Sequence, residues 1–180
     1  MEIKHHALAG VVEFIPRVFG DARGAFFESF SEKIMRQAGV DVNWVQDNQS
    51  RSMRGVLRGL HFQRPPYAQA KLVRVAQGRA LDVVVDIRRG SPTYGQHVAV
   101  ELDSTRFNML YVPTGFAHGF AALEDDTLFL YKCSNYYEPS SEGGLLWNDP
   151  QLGISWGLTD PTISAKDQVL PKLAEFDSPF

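Results

Sequence analysis

Glycine and proline cut this chain into short extended runs, and that punctuation constrains its fold more than any other feature. The sequence holds 15 glycines and 10 prolines. Between them fall VVEFIPRVF, LDVVVDI, HVAVEL and TLFLYKC, runs rich in the β-branched and aromatic residues that favour strands. Turn sequences separate them: Gly20-Asp21-Ala22-Arg23-Gly24, Arg89-Gly90-Ser91-Pro92, and the Pro113/Gly115 turn inside NMLYVPTGFAHGFAA. Short strands bounded by turns predict an all-β chain, an antiparallel sandwich or barrel. A jelly roll is the preferred architecture, because its concave interior lets side chains from separate strands converge. Ser31 to Ala38 is the best helix candidate, with Ser31 at a capping position, Ile34 and Ala38 at helical spacing, and Gly39 to end it. No repeat, low-complexity tail or linker divides the chain, so residues 1–180 read as one domain.

Within this apolar pattern the stretch Arg54 to Val75, RGVLRGLHFQRPPYAQAKLVRV, is interrupted by charge. On a half-buried strand Arg58, His61 and Lys71 would lie along a poorly solvated surface, so something must compensate their polarity. Pro65-Pro66 divides the stretch; beyond it Lys71, Val73 and Val75 share one strand parity, Leu72 and Arg74 the other. Two neighbouring strands would then aim a base and a cation into one cavity. The structural alternative sets Arg58, Lys71 and Arg74 at a sheet edge, where cations discourage aggregation.

Other candidates each carry two readings. Arg23 and Glu28 stand beside Phe26, Phe27 and Phe30, either as the wet margin of an aromatic strand or as a phosphate-pairing cation with a ring to cover a flat group. Gln46 and Asn48, in WVQDNQS, either offer paired donors and acceptors to a sugar or nucleotide or stabilise a turn around Asn48. His118 is a loop cap or a second polar pocket residue. Tyr131 shares a face with Phe129 and Cys133, as a core ring or as an acid; Cys133 reads as a small buried hydrophobe. Glu142, Trp147, Asn148 and Asp149 form a polar and aromatic approach to a turn at Pro150. Lys166 and Asp167 either cap a short terminal helix or supply a cation and an imidazole-orienting carboxylate.

Composition removes several classes of function. A formal net charge of -3 and a pI near 5.9 argue against a bulk grip on nucleic acid while permitting a local positive pocket. Cys133 is the only cysteine, so neither an intrachain disulfide nor a cysteine metal cluster is available, and a cytoplasmic location fits. No apolar run approaches membrane-spanning length, and MEIKHHALAG lacks the layout of a secretion signal. His61, His97 and His118 show no closely spaced His-X-His pair with an acidic companion, so no metal is expected. Rossmann, phosphate-loop and Gly-X-Ser-X-Gly signatures are missing as well. Proton transfer suits the remaining groups. His61 can serve as base, Asp167 can orient its ring, Lys71 can stabilise an oxyanion, and Tyr131 can donate from another side.

The strings VFGDARGAFFESF, VQDNQSRSMRGVLRGLHFQ, AKLVRV, LDVVVDIRRGSPTYG, VPTGFAHGF, FLYKCSNYY, EGGLLWNDP and SAKDQVLPKL follow one another along the chain. Together they closely resemble the dTDP-4-dehydrorhamnose 3,5-epimerase family. The resemblance implies an all-β, cupin-like antiparallel jelly roll with short peripheral helices, needing no cofactor and no metal. It further implies a homodimer to which the amino-terminal strands contribute, with the carboxy-terminal segment packed against the jelly roll. The implied reaction converts dTDP-4-dehydro-6-deoxy-D-glucose to dTDP-4-dehydro-L-rhamnose through enolates at C3 and C5. In the family pattern His61 holds the place of the base, Asp167 its orienting carboxylate, Lys71 the oxyanion stabiliser and Tyr131 the opposite-face acid. Arg23, Phe26, Glu28, Gln46, Asn48, Arg58, His118, Glu142 and Lys166 match the ligand-contacting set, Arg23 and Phe26 acting across the dimer. Two departures are mild: Phe62 stands where tyrosine is frequent, and Ala70 where glycine is. A relative inverting only C3 or only C5 is the close alternative; a silent nucleotide-sugar binder and a metal-dependent sugar oxygenase are more distant ones.

Overall fold

Strand alternation decides which residues meet in this protein, and it builds two facing antiparallel sheets. The computed structural model describes residues 1–180. One sheet has six strands, in the order β1 (Glu2–His5), β2 (Val12–Ile15), β10 (Met109–Val112), β7 (Lys71–Gln77), β12 (Thr127–Cys133) and β5 (Gln46–Ser52). The other has five: β13 (Glu142–Gly144), β6 (Leu57–Gln63), β11 (Phe116–Ala122), β8 (Arg79–Asp86) and β9 (His97–Asp103). A hairpin of β3 (Phe19–Asp21) and β4 (Gly24–Phe26) belongs to neither. Both sheets keep free edges, so the strands stack as open layers and no closed barrel forms.

Each face of the alternation has its own cover. Val73, Val75 and Phe129 from the six-stranded sheet meet Val84, Leu102, Phe116 and Phe120 from the five-stranded one, and this is the core between the layers. Leu72 points the other way, into a cluster with Phe14, Tyr111 and Met35, the last from helix α1 (Glu32–Gln37). Behind the five-stranded sheet, Leu57, Leu60 and Phe62 pack on Leu145, Leu152, Trp156 and Leu173 of the carboxy-terminal segment. Burying one such side chain contributes about 1.5–3 kcal/mol, so a segment with little regular structure is still firmly held. The helix starts one residue after Ser31, whose side chain makes no capping bond, and Gly39 follows its end at φ +81°.

Three expectations change at this level. β6 and β7 are neighbours in sequence but lie in different sheets, so the base and the cation approach from opposite layers. Neither strand is an edge: β6 runs between β13 and β11, and β7 between β10 and β12, which removes the edge reading of Arg58, Lys71 and Arg74. The amide-rich stretch is no turn. Gln46–Ser52 is an edge strand paired with β12, Asn48 opposite Tyr131 and Ser50 opposite Phe129.

One irregularity positions the site. Arg58 and His61 are three apart and would point to opposite faces of a regular strand, yet the β6–β11 register slips between His118 and Phe120. Gly59 adopts φ +135°, and a Cβ there would stand 2.5 Å from Gly119 Cα. From the other strand, a Cβ on Gly119 would meet Arg58 O at 2.7 Å. Only two glycines let the backbones come this close. Gly119→Ala is therefore expected to lower stability by about 1–3 kcal/mol, read as a shift in the urea unfolding midpoint, as the strands bearing His61 and His118 are forced apart.

Candidate active site

The gap between the two sheets is not filled by hydrocarbon along its whole length. Beside the core opens a cavity of about 570 Å³ lined by Arg58, His61, Lys71, His118, Tyr131 and Asp167, among others. A second chamber of about 310 Å³, which includes Gln46, Asn48, Tyr137 and Glu142, adjoins it. His61, Lys71 and Tyr131 line both.

The two layers bring different chemistry. From the five-stranded sheet, β6 supplies His61 and β11 supplies His118, directly opposite in register. From the six-stranded sheet, β7 supplies Lys71, β12 supplies Tyr131, and β5 turns Gln46, Asn48 and Ser50 toward the cavity chambers while Asp47, Gln49 and Arg51 stay exposed. Lys71 Nζ lies 5.9 Å from the centre of the Tyr131 ring. Any ligand in the cavity has an imidazole on one side and a phenol with an ammonium on the other.

His61 is oriented from the carboxy-terminal segment. Its Nε2 donates to Asp167 Oδ1 at 2.7 Å, and Asp167 Oδ2 accepts from the Gly59 N–H at 3.2 Å. Burial pushes the Asp167 carboxyl up, but the bond to His61, its charge, and the Gly59 N–H outweigh this and hold it below its ordinary range. The carboxylate thus holds the ring by its Nε2–H and selects the tautomer in which Nδ1 is the acceptor nitrogen. His118 has a matching partner: its Nε2 lies 2.8 Å from Asp82 Oδ2. Burial lowers the His118 pKa despite Asp82, and Lys71 and His61 push the same way.

Burial also tunes the facing groups. It lowers Lys71, against the opposing pull of Cys133, Asp82 and Glu142, and so makes the ammonium a readier hydrogen-bond donor. Burial raises Tyr131, helped by Cys133 and opposed by Arg58 and Asn48, which keeps the phenol protonated. At the mouth, Glu142 accepts from the Tyr137 hydroxyl at 3.0 Å and pairs with Lys166. Arg58 donates to Ser52 Oγ at 3.2 Å and is otherwise exposed, a cation open to an anionic ligand. No three histidine, cysteine, aspartate or glutamate side chains converge as metal ligands.

A family model described as dTDP-4-dehydrorhamnose 3,5-epimerase matches residues 5–175. The chain belongs to the dTDP-4-dehydrorhamnose 3,5-epimerase family. The family member from Salmonella typhimurium, a dTDP-4-dehydrorhamnose 3,5-epimerase, is 52% identical over 93% of this chain and 92% of its own. A solved dTDP-6-deoxy-D-glucose-3,5-epimerase from Legionella pneumophila, in complex with dTDP-4-keto-L-rhamnose, superimposes with a TM-score of 0.93 at 43% identity, covering 98% of this chain and 94% of that one. A 3'-monoepimerase from Streptomyces bikiniensis in complex with dTDP-quinovose gives a TM-score of 0.89 at 38% identity, covering 95% and 88%.

Most of the residues singled out in the sequence gather around the two chambers of this epimerase-family fold: His61, Lys71, Tyr131 and Asp167, with Gln46, Asn48, Arg58, His118, Glu142 and Lys166. Arg23, Phe26 and Glu28 do not. They lie on or just after the exposed β3–β4 hairpin, where Arg23 pairs with Asp21. His118 sits within β11 and caps no loop. Trp147, Asn148 and Asp149 line a separate surface depression instead of the cavity. Two residues were overlooked: Asp82, hidden in the apolar run LDVVVD, and Tyr137, a residue 53% exposed at the mouth. A charge inside an otherwise apolar strand was the available signal for the first.

Because Asp167 binds its proton more weakly in the fold than in the unfolded chain, its contribution to stability is complete above the ordinary value of 3.8 and drains as pH falls from there through the lower folded value. Urea midpoints measured from pH 6 to pH 3 are expected to fall more steeply for the wild type than for Asp167→Asn, which has no carboxylate to titrate at this position.

Proposed function

We propose that this protein is a dTDP-4-dehydrorhamnose 3,5-epimerase, inverting C3 and C5 of dTDP-4-dehydro-6-deoxy-D-glucose. The observation that carries the reading is the placement of His61 and Tyr131 on facing sheets across one cavity, with Lys71 beside the phenol.

The C4 ketone acidifies the C–H bonds at both neighbouring carbons. His61 removes a proton from one face, and the charge that develops on O4 is met by the Lys71 ammonium in a poorly solvated site, where a fixed donor is worth most. Tyr131 returns a proton from the other face, at least at C5, and that carbon is inverted. Asp167 holds the imidazole in the tautomer that can accept. Arg58 and Lys166 meet the diphosphate, and the smaller chamber, with Gln46, Glu142 and the flat Tyr137 ring, takes the nucleoside end.

Three further points complete the reading. The double sheet is the cupin-like jelly roll of a single domain. The exposed hairpin, on which Phe19 and Phe26 are 53% and 70% exposed, meets a second copy, so that Arg23, Phe26 and Glu28 serve the partner's site. A single buried, unpaired cysteine suits a reducing compartment, and we place the enzyme in the cytoplasm.

In deuterated water the purified protein is expected to introduce solvent deuterium at both C3 and C5 of dTDP-4-keto-6-deoxyglucose, followed by NMR, with the L-sugar as product. A C3-only reaction is the second reading, favoured by the similarity to a 3'-monoepimerase fold; label at C3 alone would establish it and exclude the first. His61→Ala is expected to slow exchange at both carbons by about a hundred- to ten-thousand-fold. Tyr131→Phe is expected to impair inversion more than deprotonation, so label washes into the starting sugar; an unchanged rate of inversion would remove Tyr131 from the acid role.

A further inference from the structure

The chain that leaves β12 carries Tyr137 to the mouth of the smaller chamber without a backbone ladder to hold it. Buried or half-buried backbone groups need partners, and here three glutamine side chains supply them. Gln69 Nε2 donates to Asn135 O at 2.8 Å and Gln63 Nε2 to Tyr136 O at 3.1 Å. Gln46 Oε1 accepts from Tyr137 N at 3.0 Å, and Gln63 Oε1 from Glu138 N at 2.8 Å.

Gln63 does more than the other two. Its Nε2 also donates to Tyr67 O at 2.7 Å, so a side chain only 4% exposed grips the mouth segment on both sides of Tyr137 and ties it to the turn after β6. Both of its N–H groups are engaged by backbone carbonyls, which leaves it no donor for a ligand. Its oxygen is bonded to Glu138 N, so all three of its hydrogen bonds go to backbone groups, and it acts through the segment those bonds hold. Tyr137 is fixed at its nitrogen by Gln46 and at its hydroxyl by Glu142, and Gln63 stands two residues from His61 on β6.

We propose that Gln63 is the positioning residue for the nucleoside end of the ligand site, setting the segment that carries the Tyr137 ring at a fixed distance from His61 and from Glu142, which the β13–β6 ladder already places. The ligand group it serves is a planar nucleobase laid against the Tyr137 ring. This inference rests on the proposed function, since it assigns the smaller chamber to the nucleoside.

The test is a double-mutant cycle in the full-length protein. Gln63→Leu keeps the bulk and removes all three bonds. It is expected to raise KM for dTDP-4-keto-6-deoxyglucose and the calorimetric Kd for dTDP by about ten-fold while kcat at saturation stays within about two-fold. In a Tyr137→Ala background the same change is expected to have little further effect on either constant. Gln63→Glu, which keeps an acceptor for Glu138 N and loses the donors, should show the same pattern and covers the case in which the leucine variant does not fold. A fall in kcat with KM unchanged, or losses that multiply across the cycle, would overturn the proposal. Failure of the parent reading looks different: wild-type protein would bind dTDP yet leave both carbons unlabelled.

Discussion

The carboxylate of Asp167 is the tie on which the active-site architecture depends. It belongs to a segment with little regular structure, held to the back of the five-stranded sheet by Leu145, Leu152, Trp156 and Leu173. Through its two oxygens it reaches both the His61 ring and the backbone of Gly59. The apolar contacts behind the sheet and the polar contact at its front are thereby one construction. Hydrocarbon burial supplies the anchoring energy; the carboxylate turns that energy into a fixed imidazole.

The second organising fact is that the sheets divide the chemistry between them. Inversion of a carbon needs a base on one face and an acid on the other, and a sandwich with side chains about 10 Å thick between its layers offers two opposed walls. Chain order would suggest that Lys71, ten residues after His61, shares its wall. The crossover at Pro65-Pro66 instead sends β7 into the other layer, beside Tyr131. Burial then tunes the two facing groups, raising Tyr131 so that the phenol keeps its proton and lowering Lys71 so that its ammonium is a stronger proton and hydrogen-bond donor.

What was legible in the sequence follows from where the strand contrast comes from. β7, β8 and β12 run against hydrocarbon, and their apolar residues show it: Val73, Val75, Val84 and Phe129 face the core, while β8 is apolar on its other face too, with Val83 and Val85 packed behind the sheet. β5 faces a polar cavity, so its inner residues Gln46, Asn48 and Ser50 are as hydrophilic as its outer ones, and no period marks it as a strand. Pairings across long separations were also hidden. His61 and Asp167 are 106 positions apart, and the Asp82 partner of His118 sits in a run that otherwise reads as buried wall. Family strings picked out most of the side chains that line the two chambers without saying what holds them. Arg23, Phe26 and Glu28 belong to a hairpin region outside both sheets and line neither chamber, which the strings alone did not show.

The slip in register at Gly59 has a consequence for anyone seeking a sturdier version of this protein. A perfectly regular β6 would present Arg58 and His61 to opposite sides, one toward the cavity and the other into the hydrocarbon behind it. Straightening the strand, or exchanging its glycine for a better strand former, would trade function for tidiness. The local defect is what lets seven residues of a single ribbon deliver both a guanidinium and an imidazole to the same small volume.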